Sequence, residues 1–143
     1  MSMFDSMKIN ASGLSLERLK LDVTSSNIAN VNTVRTEEGG PYLKKQVLFE
    51  ESLMREKSGI HQGLELNSFG VKATGIAEDP LNTKFMYEPT HPDANAEGYV
   101  EYPNVDMADE MIEMMTTLRT YDANATALNA SKEMLKKALE ISR

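Results

Sequence analysis

Residues 106–143 read DMADEMIEMMTTLRTYDANATALNASKEMLKKALEISR. The apolar residues of this stretch fall at Met107, Met111, Met114, Leu118, Tyr121, Ala125, Leu128, Leu135 and Leu139, the 4-3 alternation of a heptad seam, interrupted at Lys132. One long helix is predicted. Asp106 is placed as its N-cap, Asp109, Glu110 and Glu113 load its first turns with negative charge, and Lys132, Lys136, Lys137 and Arg143 load its end with positive charge. Both ends complement the helix dipole. Such a helix is about 55 Å long, whereas a compact domain of this chain length is only about 35–40 Å across. It must either protrude or be covered by a second long helix and by neighbouring molecules.

The N-terminal end supplies a second helix. From about Met3 to Asn30, Met7, Leu14, Leu21 and Ile28 recur seven apart, with Ala11, Leu16, Leu19 and Val23 broadening the stripe. The segment closes on Asn27, Asn30 and Asn32, three asparagines in six residues. A helix C-cap accounts for one of them.

Between the helices the composition changes. All five prolines, seven of the eight glycines and seven of the nine Phe and Tyr residues lie between Arg35 and Pro103. Residues 42–49 alternate as a strand, Gly70 to Ile76 reads as a second strand bent by its glycines, and Lys84 to Tyr87 as a third. Glu88 to Asn104, with Pro89, Pro92 and Pro103, reads as an irregular excursion back to the C-terminal helix. The expected fold class is α+β: long N- and C-terminal helices packed as an antiparallel, coiled-coil-like pair (residues 1–33 and 106–143), with a small, mostly β insert and one long loop at residues 34–105.

Composition narrows the function. The net charge is −7, and residues 34–105 carry −5 of it, so no basic face is evident for a nucleic acid backbone. Zero cysteines exclude a disulfide framework and a thiolate metal site, and leave the compartment open. The N-terminus lacks the continuous apolar region of a signal peptide, and no run approaches the 18 apolar residues of a membrane span. His61 and His91 have no second imidazole at ligand spacing, so His91 with Asp93 and Glu97 reads as a surface loop and no cofactor or metal is expected. Phosphate loops, dinucleotide fingerprints and nucleophile elbows are absent, and an acid pair such as Asp79 and Glu88 has nothing beside it to shift a pKa, so no enzyme and no small-molecule substrate are expected. The Asn-x-Ser/Thr triplets at Asn10, Asn124 and Asn129 lie within helices and read as chance matches. The cluster Met107, Met111, Met114 and Met115 reads as a helix–helix interface rather than a lipid or peptide surface. An assembly device remains.

Several motifs are shared with a known family. Gly13-Leu14, Arg18-Leu19, Ser26-Asn27-Ile28-Ala29-Asn30 and Asn32-Thr33 resemble the N-terminal signature of flagellar basal-body rod and axial proteins. Further matches run through Gly39-Gly40-Pro41-Tyr42, Gln46-Val47, Phe49, Gly70-Val71-Lys72, Tyr87-Glu88-Pro89, His91-Pro92-Asp93-Ala94, Gly98-Tyr99-Val100 and Tyr102-Pro103-Asn104-Val105. Others are Glu110-Met111, Met114-Met115, Arg119, Tyr121 and Ala123-Asn124. In order and spacing these are similar to the proximal rod family FlgC over nearly the whole chain, with Leu118 and Asp122 as mild departures. The resemblance implies a structural subunit of the periplasmic rod, whose partners are copies of itself, other rod proteins and the flagellar type III export apparatus. Export without a cleaved signal peptide follows from it.

On this reading Leu14, Leu21 and Ile28 pack against the seam from Met111 to Leu139, and both helices complete their burial against adjacent subunits. Asn27 and Asn30 are expected to hydrogen-bond across the junction between helix and insert, where directional bonds fix register. The rival is a soluble adaptor that uses the helical pair to bind one partner as a finite complex.

Overall fold

The computed structural model describes residues 3–37, 39–57, 64–80 and 83–141. His61 and Arg143 lie outside them. Two long helices bracket four strands: α1 (Met3–Ala29), β1 (Lys44–Lys57), β2 (Leu64–Asp79), β3 (Lys84–Tyr87), β4 (Tyr99–Tyr102) and α2 (Met107–Ile141). The fold is α+β, with two small two-stranded sheets, β1 with β2 and β3 with β4, between the helices in sequence. Among the described residues no helix is long and apolar enough to cross a membrane.

Local chemistry sets the helix ends. Asp106 caps α2: its Oδ1 accepts from the Ala108 amide at 2.9 Å, and its carbonyl accepts the first helical bond, from the Glu110 amide, at 3.0 Å. At the end of α1, Asn30 does the terminating. Its Nδ2 donates to the Ser26 carbonyl at 2.8 Å and its Oδ1 accepts from Thr33 Oγ1 at 3.2 Å.

The chain forms two compact units, and each takes a segment of both helices and of the β1–β2 pair. The first comprises Met1–Leu19, Leu48–Gly75 and Thr117–Arg143. Here Gly13 of α1 lies against Asn124 of α2, so close that a Cβ on Gly13 would stand 3.0 Å from Asn124 Nδ2. One residue earlier on α1, Ser12 Oγ donates to the Ile9 carbonyl and accepts from the Val71 amide of β2 at 3.1 Å. Adjacent α1 residues thus serve two neighbours, a helix and a strand.

The second unit comprises Lys20–Val47 and Ile76–Thr116. Its buried apolar residues are Val23, Tyr42, Val100, Pro103 and Val105. β3 and β4 pair antiparallel in the register Lys84↔Tyr102, Phe85↔Glu101, Met86↔Val100, Tyr87↔Tyr99. The Tyr87 and Tyr99 rings meet edge to face at 5.4 Å, the geometry the ring quadrupoles favour.

β4 stands where an irregular excursion was expected. The segment leaves β3 and returns as its partner because its polar residues tie it to itself. Asn95 Oδ1 accepts from the Glu97 and Tyr99 amides, the Asn95 amide donates to the Tyr99 carbonyl, and the Glu88 amide donates to the Gly98 carbonyl. An Asx turn closes the loop and presents four residues to β3.

Candidate assembly interface

The apolar seam read from α2 is only partly covered. Met114, Tyr121, Ala125, Leu128 and Leu135 are half-buried, whereas Met107, Met111 and Leu118 are exposed and Leu139 is 71% exposed. Ile112 and Met115 are exposed beside them. The most deeply buried α2 residues are polar: Glu110, Thr117 and Ser131, seven apart, with half-buried Asn124 completing the series. Along α2, the line Met114, Tyr121, Leu128, Leu135 is therefore flanked by small and polar residues on one side and by exposed apolar ones on the other. Small polar side chains let backbones approach, as Asn124 does at Gly13, and leave the bulky apolar flank to solvent.

The same holds on α1. Leu14, Leu21 and Ile28 are half-buried, and the buried positions are Leu16, Glu17, Val23, Thr24 and Asn27. A search for apolar residues passes over Glu17, Thr24 and Asn27. A seven-residue recurrence of polar types links Glu17 to Thr24, whereas Asn27 falls outside it.

Asn27 is the centre of the second unit. It is 1% exposed, and both atoms of its carboxamide are fully used. Oδ1 accepts from the Tyr42 hydroxyl at 2.9 Å and the Lys45 amide at 3.0 Å, while Nδ2 donates to the Lys45 carbonyl at 2.9 Å and to Glu110 Oε2 at 3.0 Å. Toward Lys45 the side chain behaves as a neighbouring strand would, meeting both backbone groups of one residue. Asn104 acts similarly, its Oδ1 accepting from the Lys44 amide at 2.9 Å and its Nδ2 donating to the Asp79 carbonyl of β2 at 3.1 Å. Asn30, by contrast, bonds locally within the helix end, and Asn32 is exposed. The three asparagines of the cluster have three different roles.

Glu110 is 0% exposed. A carboxylate so placed needs a cation and hydrogen bonds to offset its lost hydration. Asn27 supplies the hydrogen bond, and Lys44 Nζ lies 2.5 Å from Oε1, an oxygen that has no other partner among the described residues. Burial pulls the Lys44 ammonium pKa down, but the Glu110 hydrogen bond and charge, with Glu113 and Asp109 behind it, outweigh burial and the net direction is upward. The contacts of Tyr42, Lys44 and Lys45 with this site were not legible in the sequence, because their partners Asn27 and Glu110 lie 15 to 66 residues away.

Among the described residues no group of three or more His, Asp or Glu side chains is placed to hold a metal ion. His91 instead accepts at Nδ1 from the Asp93 amide at 3.1 Å, and Asp93 pairs with Arg35.

The family model "Flagella basal body rod protein" matches residues 7–35, and the model "Flagellar basal body rod FlgEFG protein C-terminal" matches residues 96–141. The flagellar basal-body rod protein FlgC of Bacillus subtilis (strain 168) is 43% identical over 150 residues, covering 100% of both chains. The FlgC proteins of Borreliella burgdorferi and Escherichia coli O6:H1 are 38% and 36% identical, each alignment covering 99% of this chain and 98% of the relative. With the helices matched at both ends and relatives aligned along its whole length, the chain belongs to the FlgC family of flagellar basal-body rod proteins.

Proposed function

We propose that the chain is a structural subunit of the flagellar basal-body rod, assembling through its terminal helices with copies of itself and with other rod proteins. Residues 1–33 and 106–143 supply the packed core of the rod and residues 34–105 an outward-facing insert. The subunit works in the periplasm, delivered by the flagellar type III apparatus without a cleaved signal peptide, and uses no nucleic acid or small-molecule substrate. The reading rests on family membership, and the observation that carries its mechanism is the exposed apolar flank of α2, Met107, Met111, Ile112, Met115 and Leu118. Such a flank is costly to leave in water, so it is the surface that neighbours cover.

Met111→Asp and Leu118→Asp test this. Both positions are exposed in the isolated chain, so its unfolding free energy should change by no more than about 0.5 kcal/mol. A carboxylate enclosed by neighbours costs on the order of several kcal/mol, so cells relying on either variant should be non-motile and their basal bodies should lack the chain. Normal motility with the variant incorporated would overturn the reading. A discrete complex with one soluble partner, unaffected by these substitutions, would favour an adaptor.

A further inference from the structure

We propose that Asn27, Glu110 and Lys44 form a register lock that fixes which residue of β1 sits against the end of α1. The two halves of the lock reject different errors. In a strand the N–H and C=O of one residue point to one edge and those of the next to the opposite edge. Asn27 holds both groups of Lys45, so a slip of one residue would turn both away and leave its buried carboxamide without them. A slip of two restores a correctly pointing residue, Leu43 or Val47, and Asn27 alone would accept it.

Glu110 rejects that second error. With a slip of two, Gln46 or Tyr42 replaces Lys44, and neither carries a cation to pair with Glu110 Oε1, which lies 2.5 Å from Lys44 Nζ. A fully buried carboxylate without its cation is strongly disfavoured. An intact buried ion pair contributes little net stability compared with apolar residues of the same volume, whereas removing one partner is strongly destabilising, and that asymmetry is what a lock needs. Asn104, bridging the Lys44 amide to the Asp79 carbonyl, ties the last residues of β2 to the same register. A slip of one residue along β1 exchanges the faces of every side chain beyond it, so the lock decides which way Leu48 and Phe49, both exposed, are presented.

The register lock belongs to the isolated chain and is tested there, separately from assembly into a rod. Hydrogen exchange resolved to single amides by NMR should find the Lys44 and Lys45 amides protected; exchange at unprotected rates would overturn the lock. Asn27→Ala should speed exchange at Lys45 by about tenfold or more while leaving the amides paired between β3 and β4 unchanged. An equal rise throughout the second unit, or none at Lys45, would mean that Asn27 does not set register. The double variant Lys44→Gln/Gln46→Lys moves the cation two residues along β1 without altering composition or charge. It should lower protection at Lys45 and split the resonances of residues 43–47 into two sets. A single set with protection at Lys45 intact would overturn the role given to Glu110 and Lys44, whether or not Asn27→Ala folds.

Discussion

Lys44 illustrates how a partly solvated residue can hold a buried one in place. Its folded pKa lies above the ordinary 10.5 because Glu110, then Glu113 and Asp109, outweigh the cost of burial. The native state therefore binds this proton more tightly than the unfolded chain does. For a raised lysine, the contribution to stability is fully present below the unfolded value and is lost as pH rises through the folded one. Lys44→Met strands Glu110 without its cation and should cost on the order of 2–4 kcal/mol near pH 7. That difference from the native chain, followed by denaturant titration, should stay constant up to about pH 10.5 and shrink only above it. A difference that instead grows with pH below 10.5 would mean that burial wins at Lys44, because the unfolded chain would then hold the proton more tightly.

At the level of elements, the docking of β2 on α1 in the first unit depends on Gly70. Its φ is +105°, outside the range of ordinary L residues, and a Cβ there would collide with Ser12 Oγ and stand 3.2 Å from the Ile9 Cα. Ser12 cannot withdraw without releasing the Val71 amide. Gly70→Ala should therefore cost on the order of 2–4 kcal/mol, combining backbone strain with overpacking. Gly75, in the same strand with nothing within 4 Å of an added Cβ, is the control: Gly75→Ala should be neutral or stabilising by up to about 1 kcal/mol. Equal unfolding midpoints for the two variants would mean that β2 does not rest on α1 at Gly70. The elements themselves were largely legible. Both helices were marked by seven-residue apolar recurrence and α2 by its Asp106 cap, and β3 by its bounds Lys84–Tyr87. β4 was not, since four residues among Gly and Pro carry no periodicity and its pairing depends on Asn95, an interaction visible only in three dimensions. The full lengths of β1 and β2 were not legible either, because charged residues such as Glu50 and Glu51 interrupt any apolar pattern. Along α2, apolar recurrence picked out the half-buried line from Met114 to Leu135, but its buried polar neighbours Glu110, Thr117 and Ser131 carry no hydrophobic signal, and the Asn27 contacts are long-range by nature.

On the scale of the whole chain, two forces act on association with opposite signs. The net charge of −7 makes like chains repel, while on the proposed reading burial of the apolar flank of α2, with Met107, Met111, Ile112 and Leu118 exposed, favours association. Salt separates these contributions. The Debye length shrinks from about 30 Å at 0.01 M to about 8 Å at physiological ionic strength, which removes most repulsion between exposed charges and leaves burial of apolar surface intact. Self-association measured by sedimentation should therefore strengthen as salt rises over this range. It should strengthen also as pH falls toward the isoelectric point near 4.9, where repulsion vanishes. An interface built from complementary surface charges would respond in the opposite sense to salt, weakening as its ion pairs were screened. Weakening in salt would thus move the contact away from the α2 flank and onto the charged insert, even with the subunit role unchanged.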